Sequence, residues 1–357
     1  MTRMFTFDPA AYAPVLARQD FVHIPQGLSE EFYDIMCRQV DDYYQANRLK
    51  QHARGDKQQA LYEFPSTAHY EEFLTTLGEL GGLPAEKLVI SERHIKGYEA
   101  GAAPRPMPHK DRHSTQLAVG FTVRAPEGST LVLYPQGERS INLFGSWAEL
   151  KSSLTEEHLP PGVLRNVPRV EIRDRPRDVV VFLGNQIWHA RENGASTVML
   201  YFKINASHSD PLGEDPRTPL VVQKTREMVE LGDEELKGQV AILGRRVDYL
   251  QRRYSRDWQE LHGVVLYGES HFTVDDDEWL LLQALDGRRP LRDVLQQLAG
   301  PSRHERLLNG VRRLAKRGVI DLLPGHANRE TQGAQDWNAR RSRDNASRLD
   351  APERVVR

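Results

Sequence analysis

The chain has 357 residues, 39% of them hydrophobic and 27% charged, with a formal net charge of -2. That length buries a sizeable core and has room for one large domain and a small companion. The near-neutral charge argues against nucleic-acid binding by bulk electrostatics, and the single cysteine, Cys37, excludes an internal disulfide or a thiolate metal cluster.

The N-terminal stretch lacks an apolar core of signal-peptide length, and no run approaches the length of an uncharged apolar span, so no membrane partner and a cytoplasmic location are expected. Residues 20–25, Asp-Phe-Val-His-Ile-Pro, read as a short strand stopped by proline. Ser29 is placed to cap a helix, because residues 30–40 carry apolar side chains at helical spacing. Cys37 lies in that run, where burial is expected in preference to catalysis. Residues 45–85 read as mostly helical, ending at Gly81-Gly82. From Lys87 the period changes. Residues 87–99, 115–123, 130–134, 141–144, 169–173, 178–183 and 197–205 read as strands separated by Gly and Pro turns. Many short strands behind a helical N-terminal region predict a mainly β core, a jelly roll or double-stranded β-helix, with N-terminal helices. The absence of a GxGxxG and of strand–helix alternation speaks against a Rossmann domain.

After Asn205 the composition shifts to a Pro- and Asp-rich linker, and residues 219–255 read as helix interrupted near Gly232. A small basic-surfaced α+β unit follows. It has strands near 264–267 and 271–274, Asp275 as an N-cap, helices at 276–285, 291–298 and 302–316, Gly318 as a stop and a last strand at 319–323. This pattern is winged-helix-like. The expected division is therefore 1–206 jelly-roll domain, 207–255 linker and helices, 256–324 winged-helix-like domain, and 325–357 a polar tail with little to bury, expected to be disordered.

The chemistry concentrates in Pro108-His109-Lys110-Asp111-Arg112-His113. A histidine and an acid two positions apart project to one side of a strand end. His189, beyond the apolar run 179–183, would complete a two-histidine, one-carboxylate face. Such a face suits non-haem Fe(II) and leaves coordination positions open. His113 and His94 are rival ligands, but His113 has no acid two positions later and His94 leaves Asp111 unexplained.

With this motif in this order of strands, residues 15–206 resemble the Fe(II)/2-oxoglutarate-dependent dioxygenases, particularly those like phytanoyl-CoA hydroxylase. The resemblance implies a jelly-roll core, iron held by His109, Asp111 and His189, and 2-oxoglutarate decarboxylated to succinate as an unactivated C–H bond is hydroxylated. It implies no catalytic residue beyond the iron ligands, and an acid at position 111 speaks against halogenation. Family members often carry an arginine on the strand beyond the distal histidine. Here residues 197–202 are Thr-Val-Met-Leu-Tyr-Phe, so the cation for the far carboxylate of 2-oxoglutarate is Lys203 or Arg124, with Arg191 a third choice. Tyr98, Gln116 and Tyr134 are candidates for hydrogen bonds to cosubstrate or substrate, and Trp188 and Arg112 for contacts at the rim.

The expected substrate is a small metabolite or amino acid, as in secondary metabolism. Residues 264–323 loosely resemble the PqqD-like module of peptide-modifying pathways and the winged-helix tail of JmjC ribosomal oxygenases. That resemblance implies an alternative, a peptide or protein substrate recruited by the C-terminal domain. Basic residues between Arg288 and Arg317 offer a surface for an acidic partner, while the net charge argues against nucleic acid. A third reading is a non-enzymatic regulator that keeps a metal-like motif. The oligomeric state is left open.

Overall fold

The structure is a computed structural model that describes residues 3–46, 50–51, 57–266, 271–298 and 300–325. The expectation for the tail from residue 326 onward lies outside them.

Asp8 caps α1 (Pro9–Gln19), which starts on proline, and β1 (Phe21–Ile24) follows. Ser29 caps α2 (Glu30–Gln45) as the sequence predicts: its hydroxyl accepts from the Phe32 amide at 3.1 Å. Phe32, Met36 and Val40 form the buried stripe of that helix. Cys37 is half-buried on it, and burial pushes its thiol up, away from the thiolate form. Residues 45–85 are less helical than their composition suggests. Beside β2 (Lys50–Gln51), β3 (Lys57–Leu61) pairs with a later strand, and only then comes α3 (Thr67–Gly81), ended by Gly82 at φ +64°. Lys57, Gln58 and Gln59 carry no apolar alternation, so this edge strand is defined by its neighbour alone.

The core strands are β4 (Val89–Tyr98), β5 (Leu117–Arg124), β6 (Thr130–Tyr134), β7 (Val170–Ile172), β8 (Val179–Phe182), β9 (Trp188–Glu192) and β10 (Val198–Asn205). Short helices α4 (Trp147–Ser153) and α5 (Pro160–Val163) lie between β6 and β7. All pairings in this set are antiparallel. A seven-stranded sheet runs β1-β8-β5-β10-β4-β3-β2, and a three-stranded one runs β7-β6-β9. One hydrophobic cluster draws on both sheets and on the helices. The large sheet has two unlike faces, as the two-residue period demands. Leu200, Phe202 and Phe121 point to the helices, with the Phe202 and Phe73 rings 4.3 Å apart. Tyr201 and Lys203 point the other way, and the Tyr201 hydroxyl accepts from Arg191 Nε of β9 at 3.1 Å. This polar interior face is where the site forms.

Beyond Asn205, α6 (Thr218–Val229) and α7 (Asp233–Lys237) give the interrupted helix expected near Gly232. Residues 240–254 are not helical. They form β11 (Val240–Leu243) and β12 (Val247–Tyr254), followed by β13 (Glu260–Leu266) and β14 (His271–Val274). Then come α8 (Asp276–Ala284), α9 (Leu291–Leu298), α10 (Pro301–Lys316) and β15 (Ile320–Leu323), close to their expected places. Asp275 makes a capping box on α8, and Gly318 at φ +74° follows α10. β12-β13-β14 is a meander, while β11 pairs with the distant β15. A second hydrophobic cluster spans Val229 to Leu322 and includes Ala241 and Val247, which is why β11 and β12 extend instead of coiling. No helix among the described residues is long and apolar enough to cross a membrane.

Candidate metal centre

A loop and a strand build the site. The backbones of His109 and His189 exchange two hydrogen bonds, each 2.9 Å, which pins the segment before β5 against β9. Two residues on, the Asp111 amide donates to the Gly184 carbonyl at 2.9 Å. The Asn142 side chain donates to the Asp111 carbonyl at 2.8 Å. Residues 141–144, expected as a strand, are therefore a loop: their polar groups serve the His109–His113 stretch, and the Phe144 carbonyl accepts from the His113 amide at 3.0 Å. Lys110, 1% exposed, tethers the same loop by donating to Glu138 Oε2 and to the Ser140 carbonyl, each at 2.7 Å.

Potential ligand atoms of His109, Asp111 and His189 all lie within 4.8 Å of one another, and His189 Nε2 is 3.8 Å from Asp111 Oδ2. His189 Nδ1 donates to the Ile187 carbonyl at 3.0 Å, so Nε2 keeps its lone pair for the site. Burial pushes both imidazoles down, His109 well below 6.5, with the His189 ring adding to the effect on His109. Burial would raise the Asp111 carboxyl, but the Lys203 ammonium, through its charge and its hydrogen bond, outweighs it and holds it low. Two neutral imidazoles and an ionised carboxylate are the protonation states a divalent ion requires, and this donor set fits one with open positions. A His-Asp-His metal site is present.

Gly184 makes room for it. A Cβ there would lie 2.7 Å from Asp111 Oδ2 and 2.6 Å from Thr115 Cγ2. Gly184→Ala is expected to displace the carboxylate and weaken metal binding about 10- to 100-fold in a metal titration.

A cavity of about 70 Å³ adjoins the three ligands and is lined by Lys57, Lys96, Tyr98, Arg191, Tyr201 and Lys203 among others. Lys203 hydrogen-bonds Asp111 Oδ1 and lies 3.5 Å from Glu92 Oε2. Burial would lower its ammonium, but Asp111 and Glu92 raise it, so it stays charged. Glu92 is drawn down to about 2: burial opposes this, but Lys203, Lys96, His94 and Arg112 prevail. Arg191 lines the cavity with both terminal nitrogens on Asp174, at 3.0 and 2.9 Å. Arg124 is elsewhere, 47% exposed at the end of β5 and paired with Asp41. Tyr98 lines the cavity; Gln116 does not, and its Oε1 accepts from the Ala206 amide at 3.2 Å. Trp188 is buried between Lys110, 4.9 Å from its ring, and Trp147, 5.5 Å away, and Tyr134 is not in the cavity lining. Arg112 pairs with Glu92 at 3.5 Å. His94 bonds Glu214 at 2.7 Å and His113 faces the Phe144 carbonyl at 3.4 Å, so neither rival histidine joins the set. Lys96, Glu92 and Asp174 belong to no motif that marks them in the sequence. A signal existed for the first two: Glu92, His94, Lys96 and Tyr98 put polar groups at every second position of β4.

Fold and donor set together define a metal site inside an antiparallel β-sandwich. No family model matches the chain, and no curated protein matches it. Among solved structures, SnoN, an epimerase of nogalamycin biosynthesis described in complex with Fe3+ and alpha ketoglutarate, is 17% identical, covers 55% of this chain and 85% of its own, and has a TM-score of 0.42. The alpha ketoglutarate-dependent carbocyclase SnoK has 18% identity, 54% and 82% coverage and a TM-score of 0.44. A Pseudomonas putida prolyl-4-hydroxylase has 14% identity, 55% and 98% coverage and a TM-score of 0.38. These likenesses extend over little more than half of the chain, and the chemistry is read from the site's own atoms.

Proposed function

We propose that the chain is a non-haem iron oxygenase of the phytanoyl-CoA hydroxylase-like kind. It would consume 2-oxoglutarate and dioxygen and hydroxylate an unactivated C–H bond of a small metabolite or amino acid. The observation that carries this reading is the His109–Asp111–His189 set, half-buried at His109 and buried at the other two, opening onto a cavity lined by three lysines. When bound, iron with the 2-oxo acid supplies the oxidising chemistry, with succinate and carbon dioxide as co-products. The rest falls to the protein. His109 and His189 offer neutral nitrogens, and Lys203 holds one oxygen of Asp111 while the other faces His189. The cationic lining attracts a dianionic cosubstrate, and Ala118, Leu131 and Phe182 keep water from the site. No general base is needed.

On this reading residues 1–206 are the oxygenase domain and the second core is a winged-helix-like unit. One contact favours a second reading, in which the substrate is a peptide or protein. A Cβ at Gly145, next to the loop that bonds the Asp111 and His113 backbone, would meet the Asp248 carboxylate of β12 at 3.0 Å, so the second unit approaches the segment that carries two of the ligands.

The test is succinate release. Loaded with Fe(II) without oxygen and then given 2-oxoglutarate and air, the protein is expected to release succinate without added substrate, and His189→Ala to release none. Failure to hold iron and to form succinate would sink the reading.

A further inference from the structure

Three of the cations lining the cavity have other engagements. Arg191 spends its guanidinium on Asp174, Ser129 and Tyr201. Lys203 is bound to Asp111. Lys57 lies over the Tyr98 ring, 4.9 Å from its centroid. Lys96 differs. It projects from β4 directly opposite Met199 of β10, and its ion-pair contact among the described residues is Glu92 Oε2 at 3.9 Å, near the outer limit of such a pair. Glu92 also serves Lys203 at 3.5 Å, His94 at 3.7 Å and Arg112 at 3.5 Å.

Position supports the same choice. Lys96 Nζ lies 5.7 Å from the Tyr201 ring centroid. Tyr201 is one same-face step from Lys203, about 6.6 Å along the strand. A five-carbon diacid chelating the metal through its 2-oxo end reaches about one such step with its far carboxylate.

We propose that Lys96 receives the far carboxylate of the 2-oxo diacid, supplying from across the sheet the charge that its strand partner Met199 lacks. This rests on the oxygenase reading above. Burial, with Lys203 adding to it, pushes the Lys96 ammonium down to about 8, the condition of a cation short of counter-charge, and a carboxylate beside it relieves that. Tyr98 and Tyr201 share the cavity and can hydrogen-bond the same carboxylate.

The experiment is calorimetric binding to the full chain loaded with Mn(II), using two probes: 2-oxoglutarate, and 2-oxobutyrate, which chelates alike but has no far carboxylate. Lys96→Met is expected to weaken 2-oxoglutarate about 30-fold or more, the effect of truncating one partner of a buried charge pair. Its 2-oxobutyrate and Mn(II) affinities stay within about twofold of wild type. Adding Met199→Arg to Lys96→Met is expected to restore most of the loss. Undiminished 2-oxoglutarate binding by Lys96→Met, equal weakening of both acids, or a selective loss in Lys57→Met or Lys203→Met instead would each overturn the assignment. A wild-type protein that binds Mn(II) but not 2-oxoglutarate brings down the oxygenase reading and this assignment together.

Discussion

Asp111→Ala is expected to abolish metal binding and to cost the metal-free protein about 3 kcal/mol of stability, the lower end of the range for a broken buried ion pair. The side chains of Asp111 and Lys203 are 6% and 14% exposed, and Lys203 directly hydrogen-bonds the carboxylate. Removing the acid leaves an ammonium in a place where water cannot compensate it. Glu92, at 3.5 Å, offers partial relief, hence the lower end. The double substitution Asp111→Ala/Lys203→Met removes the orphaned charge as well, and is expected to recover most of the stability but none of the metal. Chemical denaturation paired with metal titration separates the two effects. A double variant as unstable as the single one would show that Lys203 does not depend on Asp111.

Asp174→Ala should damage folding still more. Its partner Arg191 is 3% exposed and makes two hydrogen bonds to it, and Thr122 Oγ1 donates to the same carboxylate at 2.7 Å. Truncation strands a buried guanidinium, at a cost of about 3–5 kcal/mol or roughly 6–20 °C in Tm. Replacing Arg191 and Asp174 together by leucine is expected to win back much of that, because apolar side chains carry no desolvation cost. Thermal melts of the single and double variants decide the matter; a single variant melting like wild type would mean the pair is not buried in solution. The same pair aims Arg191 Nε at the Tyr201 hydroxyl, so it also shapes the cavity wall beside the metal ligands.

The difference between these residues and those the sequence made visible is physical. His109, Asp111 and His189 stood out because a metal face needs a few residue types at close spacing, with an apolar strand leading to the distant partner. Ser29 and Asp275 stood out because a capping side chain acts on an amide three residues away. The strands from β4 to β10 showed because alternation and Gly or Pro turns are local. Residues 141–144 had the alternation of a strand but no strand beside them; their hydrogen bonds go to the metal-bearing segment instead.

Taken alone, the amino-acid sequence singled out His109, Asp111 and His189 as a candidate set and determined most strands of the sandwich and the three C-terminal helices, since the His-x-Asp pair and each of these elements are written in spacing over a few residues. The tertiary structure alone decided how the cations are used. Lys203 turned out to hold Asp111, Arg124 to face outward to Asp41, Arg191 to be committed to Asp174, and Lys96 to lie opposite Met199. Pairing with the distant β15 also made a strand of β11, and β12, paired with the adjacent β13, packs Val247 into a core whose other members lie far along the chain. A buried charge takes its role from whichever opposite charge shares its face of the sheet, and that is set by strand register, which residue spacing does not encode.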